Sequence, residues 1–287
     1  MNADTPLGTV EYVELGDGPP VLFVHGSPGG SDQGALMGGF LVPAGFRVIA
    51  PSRPGYLDTQ LTEATATPDQ QADLLLALMD SLGIDRFGVM CWSGGGPASY
   101  RLAAEHPERV TALVALAAVS KRYEFETGIE YRLFTGRVGK WLVHEMAHHA
   151  QKNLIKMSVS EEGDLTKQQV KELTAEVWSD PEKREFVVAL SESVAGRKVA
   201  LENDQAQFPT LDLHLDEIRT PTLLVHGTAD TDVPPEYSEH ARSEISGAEM
   251  LPVQDGTHLA VFTDPTSDEV QARIARFCAG KARARGA

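Results

Sequence analysis

Residues 86–97 read RFGVMCWSGGGP, and this stretch decides which fold the chain adopts. Its first half is short and apolar, as expected for a buried β-strand. A glycine-rich turn follows, and a helical pattern begins at Pro97, where proline suits the first turn of a helix. The stretch therefore predicts a strand, a tight turn and a helix, with Ser93 in the turn.

Further apolar runs lie on both sides of this stretch. They occupy residues 21–25, 46–50, 110–119, 221–226 and 249–253. Helical patterns separate them, over residues 67–82, 97–106, 235–245 and 265–278. Short buried runs that alternate with helices predict an α/β fold, with a mostly parallel central sheet flanked by helices.

The alternation stops between residues 121 and 215, where the pattern is helical and strongly charged. The simplest interpretation is an α/β core, built from residues 1–120 and 216–287, that is interrupted by a helical insertion. The basic tail KARARGA at 281–287 is predicted to be disordered, as chain ends often are.

The composition of the chain limits the kinds of molecule that it is expected to bind. The 287 residues carry a formal net charge of −16, which disfavours nucleic acid because binding there depends on Lys and Arg neutralising phosphates. No run approaches the roughly 18 apolar residues that a membrane span needs. The N-terminus lacks the basic and apolar pattern of a secretory signal, and Cys91 and Cys278 form no disulfide framework. We expect a cytoplasmic monomer or homodimer that acts on a small molecule.

The turn CWSGG at 91–95 has the properties of a nucleophile site. Small residues two positions before and after a serine permit a tight, strained turn that lifts its hydroxyl above the end of the sheet. Ser93 is therefore a candidate nucleophile, although Cys91 stands where this pattern usually has glycine. The alternative, a phosphate-binding turn, would need G-x-G-x-x-G or G-K-[ST], and neither is present.

A second turn, HGSPGG at 25–30, follows the first buried run. Acyl transfer needs two preorganised N–H donors for the developing oxyanion. The backbone N–H groups of Gly94 and Ser27 are the candidates for this oxyanion hole. The alternative is that residues 25–30 form a plain strand-to-loop turn.

The base and the acid that orients it should follow the serine in the order acid, then histidine. HGTADTDVP at 226–234 supplies Asp230, our choice of acid, with Asp232 as a near rival. DGTH at 255–258 supplies His258 as the base, and Asp255 is a weaker rival for the acid. A buried carboxylate bonded to one imidazole nitrogen leaves the other nitrogen free to accept the serine proton.

Together and in this order, these segments resemble the α/β-hydrolase superfamily, in particular capped serine hydrolases of the esterase and proline iminopeptidase-like group. SRPGY at 52–56 adds to the resemblance, which covers residues 1–120 and 216–287. It implies that residues 121–215 form a helical cap, or lid, inserted after the sixth strand. It also implies a substrate pocket that includes His25, Gly26, Trp92 and Tyr56. Superfamily members with dehalogenase or epoxide-hydrolase activity carry Asp as nucleophile, so Ser93 argues against both.

The predicted function is hydrolysis of a small carboxylic ester, without a cofactor, through a catalytic Ser-His-Asp triad and an acyl-enzyme. The same residues could hydrolyse an amide, an N-terminal proline peptide, a lactone or a carbon–carbon bond. A different class also stays open, since the fold can serve as a small-molecule receptor with little turnover.

One further motif, HEMAH at 144–148, matches the H-E-x-x-H signature of zinc proteases. A catalytic zinc also needs a third ligand and an open coordination position. The sequence points clearly to no third ligand, although Glu161, Glu172 and Glu176 lie downstream. We interpret the segment as a solvated helix and predict no catalytic metal. Adventitious metal binding by His144, His148 and His149 is the alternative.

Overall fold

The computed structural model describes residues 1–125, 137–194 and 197–284. Eight strands in this part of the chain form one sheet in the order β1-β2-β4-β3-β5-β6-β7-β8. The strands are β1 (Asn2–Thr5), β2 (Gly8–Leu15), β3 (Pro20–Val24), β4 (Arg47–Pro51), β5 (Phe87–Trp92), β6 (Val110–Leu116), β7 (Thr222–Gly227) and β8 (Glu249–Val253). Strand β2 is antiparallel to both of its neighbours, and β3 to β8 are parallel. The predicted α/β fold is confirmed.

The helices of the described residues pack on both faces of the sheet or lie between β6 and β7. They are α1 (Ser31–Gly38), α2 (Pro68–Ser81), α3 (Gly96–Glu105), α4 (Arg137–His149), α5 (Gln151–Glu161), α6 (Lys167–Ser179), α7 (Pro181–Ser193), α8 (Lys198–Gln207), α9 (Glu236–Glu244), α10 (Ala260–Thr263) and α11 (Ser267–Ala284). None of them is both long and apolar enough to cross a bilayer.

Two apolar cores lie on the two faces of the sheet. In β3, Leu22 and Val24 belong to the core covered by α2 and α3. Val21 and Phe23 alternate with them and belong to the core covered by α1 and α11. Since side chains alternate across a strand, a strand buried on both faces must be apolar throughout, which explains the continuous runs in the sequence.

Element boundaries follow local chemistry. Helix α2 begins where predicted, because Thr67 caps it and forms a capping box with Gln70. Strand β6 ends at Leu116, three residues before the predicted end of the run. The next residue, Ala117, has φ +44°, a left-handed conformation that cannot continue a strand.

The residues between β6 and β7, here called the helical insertion, contain α4 to α8. Their own apolar cluster includes Ile155, Val159 and Val187. The bounds of this insertion as a separate domain, 121–215, stay a prediction, and residues 126–136, 195 and 196 lie outside the described part of the chain.

The prediction of a disordered tail is wrong for residues 281–284, which extend α11. Ala, Lys and Arg are strong helix formers, and the Lys281 ammonium lies 5.4 Å from the centre of the Phe277 ring. Ile274 and Phe277 are buried against the sheet, so the apolar face anchors the helix, which continues into the basic segment. Residues 285–287 lie outside the described residues.

Candidate active site

The candidate residues follow the carboxyl ends of parallel strands. Ser27 comes after β3, Ser93 after β5, Asp230 after β7 and His258 after β8. Since parallel strands end at one edge of a sheet, their terminal loops meet there, which is where α/β folds bind ligands.

Ser93 occupies a strained turn. Its φ of +52° is left-handed, a conformation that costs a non-glycine residue about 1–3 kcal/mol and clusters at functional sites. A Cβ at Gly95 would overlap the carbonyl oxygen of Val24, so the turn can pass β3 only with glycine there. Burial raises the pKa of the Cys91 thiol to about 12. The residue that departs from the usual pattern is thus an unreactive thiol.

The turn after β3 touches the turn around Ser93. A Cβ at Gly94 would lie 3.2 Å from the backbone nitrogen of Ser27, so the two predicted oxyanion-hole positions are adjacent. The Ser27 hydroxyl donates to Asp204 Oδ2 at 2.6 Å and accepts from Arg53 Nη2 at 2.7 Å. These two bonds fix the side chain and with it the turn.

Asp230 and His258 form a buried pair. His258 Nδ1 donates to Asp230 Oδ2 at 2.7 Å, and Asp230 Oδ1 accepts the backbone N–H groups of Asp232 and Val233 at 2.9 and 3.0 Å. Each carboxylate oxygen therefore has its own donors. Asp232, the rival acid, is exposed and contributes its backbone nitrogen to this arrangement.

The pKa values of this pair are displaced in opposite directions. Burial alone would raise the pKa of Asp230, but the charge of His258 and hydrogen bonds from His226 and His258 lower it to about 2. Burial alone would lower the pKa of His258, but the charge and hydrogen bond of Asp230, with Asp232 and Glu162 nearby, raise it to about 9. Opposite displacements of this kind are typical of paired catalytic groups.

His226, which the sequence did not mark, also contacts the acid. Its Nε2 lies 2.7 Å from the Val233 carbonyl and 3.1 Å from Asp230 Oδ2. Since both are acceptors, Nε2 carries a proton, and Nδ1 lies 2.6 Å from the Ser238 hydroxyl. His226 thereby gives Asp230 Oδ2 a second donor beside His258.

Residues 162–164, directly after α5, connect the helical insertion to the loops that follow β7 and β8. The backbone N–H of His258 donates to Glu162 O at 3.0 Å, and that of Asp164 donates to Ala229 O at 2.8 Å. Gly163 pairs antiparallel with Asp230 between these two bonds. The positions of the acid and the base are thus linked to the position of the insertion.

Glu162 adds a carboxylate beside the base. The residue is half-buried, and its buried Oε2 makes no hydrogen bond with the described part of the chain. Burial, followed by the charge of Asp232, raises the pKa of Glu162 well above 4.5. Sequence reasoning missed this residue, because no motif surrounds it.

Two of the predicted pocket residues are fully buried in the structure. His25 Nδ1 donates to Gly26 O at 2.7 Å and its Nε2 accepts the backbone N–H of Arg53 at 2.9 Å. Burial and the Arg53 charge lower the pKa of His25 well below 6.5, so the neutral ring holds the turn. Tyr56 is also fully buried, and its hydroxyl donates to Asp204 Oδ2 at 2.6 Å.

Trp92 brings the base next to the turn that carries Ser93. Its ring centre lies 4.8 Å from that of His258, and a Cβ at Gly26 would lie 2.6 Å from a Trp92 ring carbon. Trp92 is thus packed between the base and the turn after β3. The assignment of Trp92, Gly26, His25 and Tyr56 to a substrate pocket stays a prediction.

Asp204, in α8 of the helical insertion, forms hydrogen bonds and an ion pair with side chains of the α/β core. It pairs with the buried Arg53 guanidinium through Nη2 at 2.8 Å and Nη1 at 3.0 Å, and both side chains are almost fully buried. Removing one member of such a pair leaves a buried charge without compensation. No motif in the sequence pointed to Asp204.

We expect Asp204→Ala to lower the free energy of unfolding by about 3–5 kcal/mol, because Arg53 stays buried and charged. Urea unfolding followed by circular dichroism measures this change. Glu202→Ala, an exposed site on the same helix paired with Lys198, is the matched control and should cost less than about 1 kcal/mol. Equal urea midpoints for the two variants would contradict this role for Asp204.

Comparisons with known proteins agree with this architecture. A family model described as the alpha/beta hydrolase fold matches residues 19–265. The uncharacterised hydrolase YcgS of Bacillus subtilis is 28% identical over 260 residues, covering 88% of this chain and 89% of the relative. The 2-hydroxy-6-oxononadienedioate/2-hydroxy-6-oxononatrienedioate hydrolase of Klebsiella pneumoniae is 26% identical over 252 residues, covering 86% and 83%. The solved alpha/beta hydrolase fold protein from Nakamurella multipartita is 47% identical, with a TM-score of 0.93 over 97% of this chain and 98% of that chain.

The chain therefore belongs to the α/β-hydrolase family, and it is a hydrolase. The predicted superfamily is confirmed. The narrower group, esterases and proline iminopeptidase-like enzymes, stays a prediction.

Proposed function

We propose that the protein is a serine hydrolase that cleaves a small carboxylic ester through an acyl-enzyme. The observation that carries this proposal is the strained Ser93 turn on the same sheet edge as the 2.7 Å pair of His258 and Asp230. A serine so placed can be deprotonated by the histidine, whose tautomer the carboxylate fixes.

In this mechanism the Ser93 Oγ attacks the ester carbonyl carbon while His258 Nε2 takes its proton. The backbone N–H groups of Ser27 and Gly94 donate to the resulting oxyanion. When the carbon–oxygen bond to the leaving group breaks, His258 returns the proton to the departing alkoxide. Water, activated by the same nitrogen, then hydrolyses the acyl-enzyme and regenerates Ser93.

In the pH profile of kcat/KM, we expect the loss of activity on the acid side to have its midpoint above pH 6.5, the ordinary pKa of histidine. A general base must be unprotonated, and the Asp230 charge holds the proton on His258 to higher pH, so activity rises as the pH increases. Initial rates with a p-nitrophenyl ester, corrected for spontaneous hydrolysis, measure this midpoint. A midpoint at or below pH 6.5 would contradict the assignment of His258.

Turnover of short-chain p-nitrophenyl esters, together with labelling by a fluorophosphonate, tests the proposal. We expect hydrolysis and a single adduct that peptide mass spectrometry locates on Ser93. A folded protein in which Ser93 is not labelled would overturn the nucleophile assignment. Labelling without ester turnover would instead mean that the bond cleaved is not a simple ester.

Carbon–carbon bond hydrolysis is the second candidate, because the Klebsiella relative matches most of the chain. Incubation with the compound named for that relative distinguishes the two reactions. Amide, N-terminal proline peptide and lactone hydrolysis remain alternatives on the same residues. Tight small-molecule binding without any turnover would favour the receptor interpretation.

The cellular location and partners remain predictions. The two cysteines, Cys91 and Cys278, are unpaired and buried, as is usual in the reducing cytoplasm. A cytoplasmic monomer or homodimer without nucleic-acid or membrane partners therefore remains our expectation.

A further inference from the structure

The HEMAH segment lies on α4, which packs against α7 at the surface of the helical insertion. His144 and His148 are four residues apart and so lie on one face of the helix, with ring centres 4.2 Å apart. Glu192, near the end of α7, places Oε1 3.1 Å from His144 Nδ1. The third ligand, which the sequence could not identify, is therefore a carboxylate from a different helix.

We propose that His144, His148 and Glu192 form a site for a transition-metal cation, with Zn²⁺ as the expected occupant. Single ligand atoms of the three side chains all lie within 4.8 Å of one another. With ligand distances of about 2.0–2.1 Å, two ligand atoms on a tetrahedral zinc are about 3.3 Å apart. The 3.1 Å between His144 Nδ1 and Glu192 Oε1 is close to that value, so an ion can replace the proton that now joins them.

The protonation of His148 is already suited to a ligand. Its Nδ1 lies 3.0 Å from the backbone carbonyl oxygen of His144. A carbonyl only accepts, so Nδ1 carries a proton, and the tautomer that ligates a metal through Nε2 fits this hydrogen bond. Metal-ligating histidines typically make this second hydrogen bond, which fixes the ring and its tautomer.

Two imidazoles and a carboxylate are a donor set that suits zinc, and imidazole ligands also suit nickel and copper. The side chains of His144 and Glu192 are 58% and 40% exposed, so an ion can enter from solvent and water can complete its shell. The net charge of −16 favours cations near the surface.

The bound ion would link two helices of the insertion rather than catalyse peptide hydrolysis. Val143 and Ala147 of α4 pack with Val188 of α7 beneath the site, so the ion would reinforce an existing contact. Glu145, the base of the protease signature, lies 3.9 Å from His149 in a separate exposed pair.

Zn²⁺ titration of the untagged full-length chain, by calorimetry and by equilibrium dialysis, tests the site. We expect saturable binding that His148→Ala and Glu192→Gln each weaken about tenfold or more. His149→Ala removes the neighbouring exposed histidine on the same helix and is the matched control, with unchanged affinity. Zn²⁺ should also raise the Tm of the wild type and of His149→Ala more than that of His148→Ala.

Absence of saturable binding to the wild type would overturn the proposal. So would equal loss of affinity in His148→Ala and His149→Ala, since the two histidines would then act as unspecific surface ligands. Circular dichroism spectra confirm that each variant is folded, so a lost site is not mistaken for a lost fold.

Discussion

Replacing Ser93 with alanine is expected to lower kcat/KM for ester hydrolysis by about 10⁴-fold or more, because the acyl-enzyme can no longer form. The His258–Asp230 pair and the Ser27–Gly94 turn remain, but without the hydroxyl their contributions have no nucleophile to act through. Initial rates with the ester that the wild type cleaves fastest, compared at equal concentrations of folded protein, measure the effect.

The substitution should leave the fold unchanged. Ser93 and alanine share the same strain at φ +52°, and the change removes a single oxygen atom, so we expect the free energy of unfolding to change by less than about 1 kcal/mol. Ser243→Ala, on the outer face of α9, is the matched control and should keep wild-type activity. A folded Ser93→Ala variant with most of its activity would mean that a different group attacks the substrate.

The sheet and the loops at its edge were predictable because they depend on local sequence. Apolar runs such as residues 21–25 and 221–226, separated by helical patterns, predict buried parallel strands, and chain order then indicates which loops meet. Ser93, Asp230 and His258 each follow such a run within a few residues. Their proximity was therefore a consequence of topology, and the structure adds the direct hydrogen bond between Asp230 and His258.

The contributions of the helical insertion could not be predicted in the same way. Asp204, in α8, and Glu162, directly after α5, reach the site only because helices have packed through side chains far apart in the chain. A charged helical pattern predicts which residues form helices but not which face of each helix is buried. In the sequence, the buried Asp204 therefore cannot be distinguished from an exposed carboxylate. Glu192 illustrates the same limit, because it meets His144 only after α4 and α7 have packed.

The N-terminal strands show a different limit. Strand β1 has no fully buried residue, so hydrophobic periodicity gives it no signal. It is a strand because its backbone pairs with β2, from Asn2 opposite Glu11 to Thr5 opposite Gly8. Pairing of this kind is made by backbone hydrogen bonds, which the side-chain pattern of β1 does not reveal.

Asp230→Asn is expected to lower kcat by about 10⁴-fold, through the wrong tautomer of His258. The backbone N–H groups of Asp232 and Val233 both point at Oδ1, so the carbonyl oxygen of the asparagine will occupy that position. Its NH₂ group must then face His258 Nδ1, where two donors cannot meet. The imidazole therefore turns its lone pair to the amide and carries its proton on Nε2, the nitrogen that should accept the serine proton.

Asp232→Asn is the discriminating control, because Asp232 is the rival acid and keeps its backbone donor when its side chain changes. We expect kcat of Asp232→Asn to stay within about threefold of the wild-type value, as suits an exposed carboxylate whose charge is largely screened. The measurement is kcat for both variants at the pH optimum, with urea unfolding to confirm that each is folded. Loss of activity in Asp232→Asn, with Asp230→Asn active, would transfer the role of the acid to Asp232.

Because Asp230 Oδ2 also accepts from His226 at 3.1 Å, His226→Ala should lower kcat less than Asp230→Asn does, since the direct bond to His258 survives.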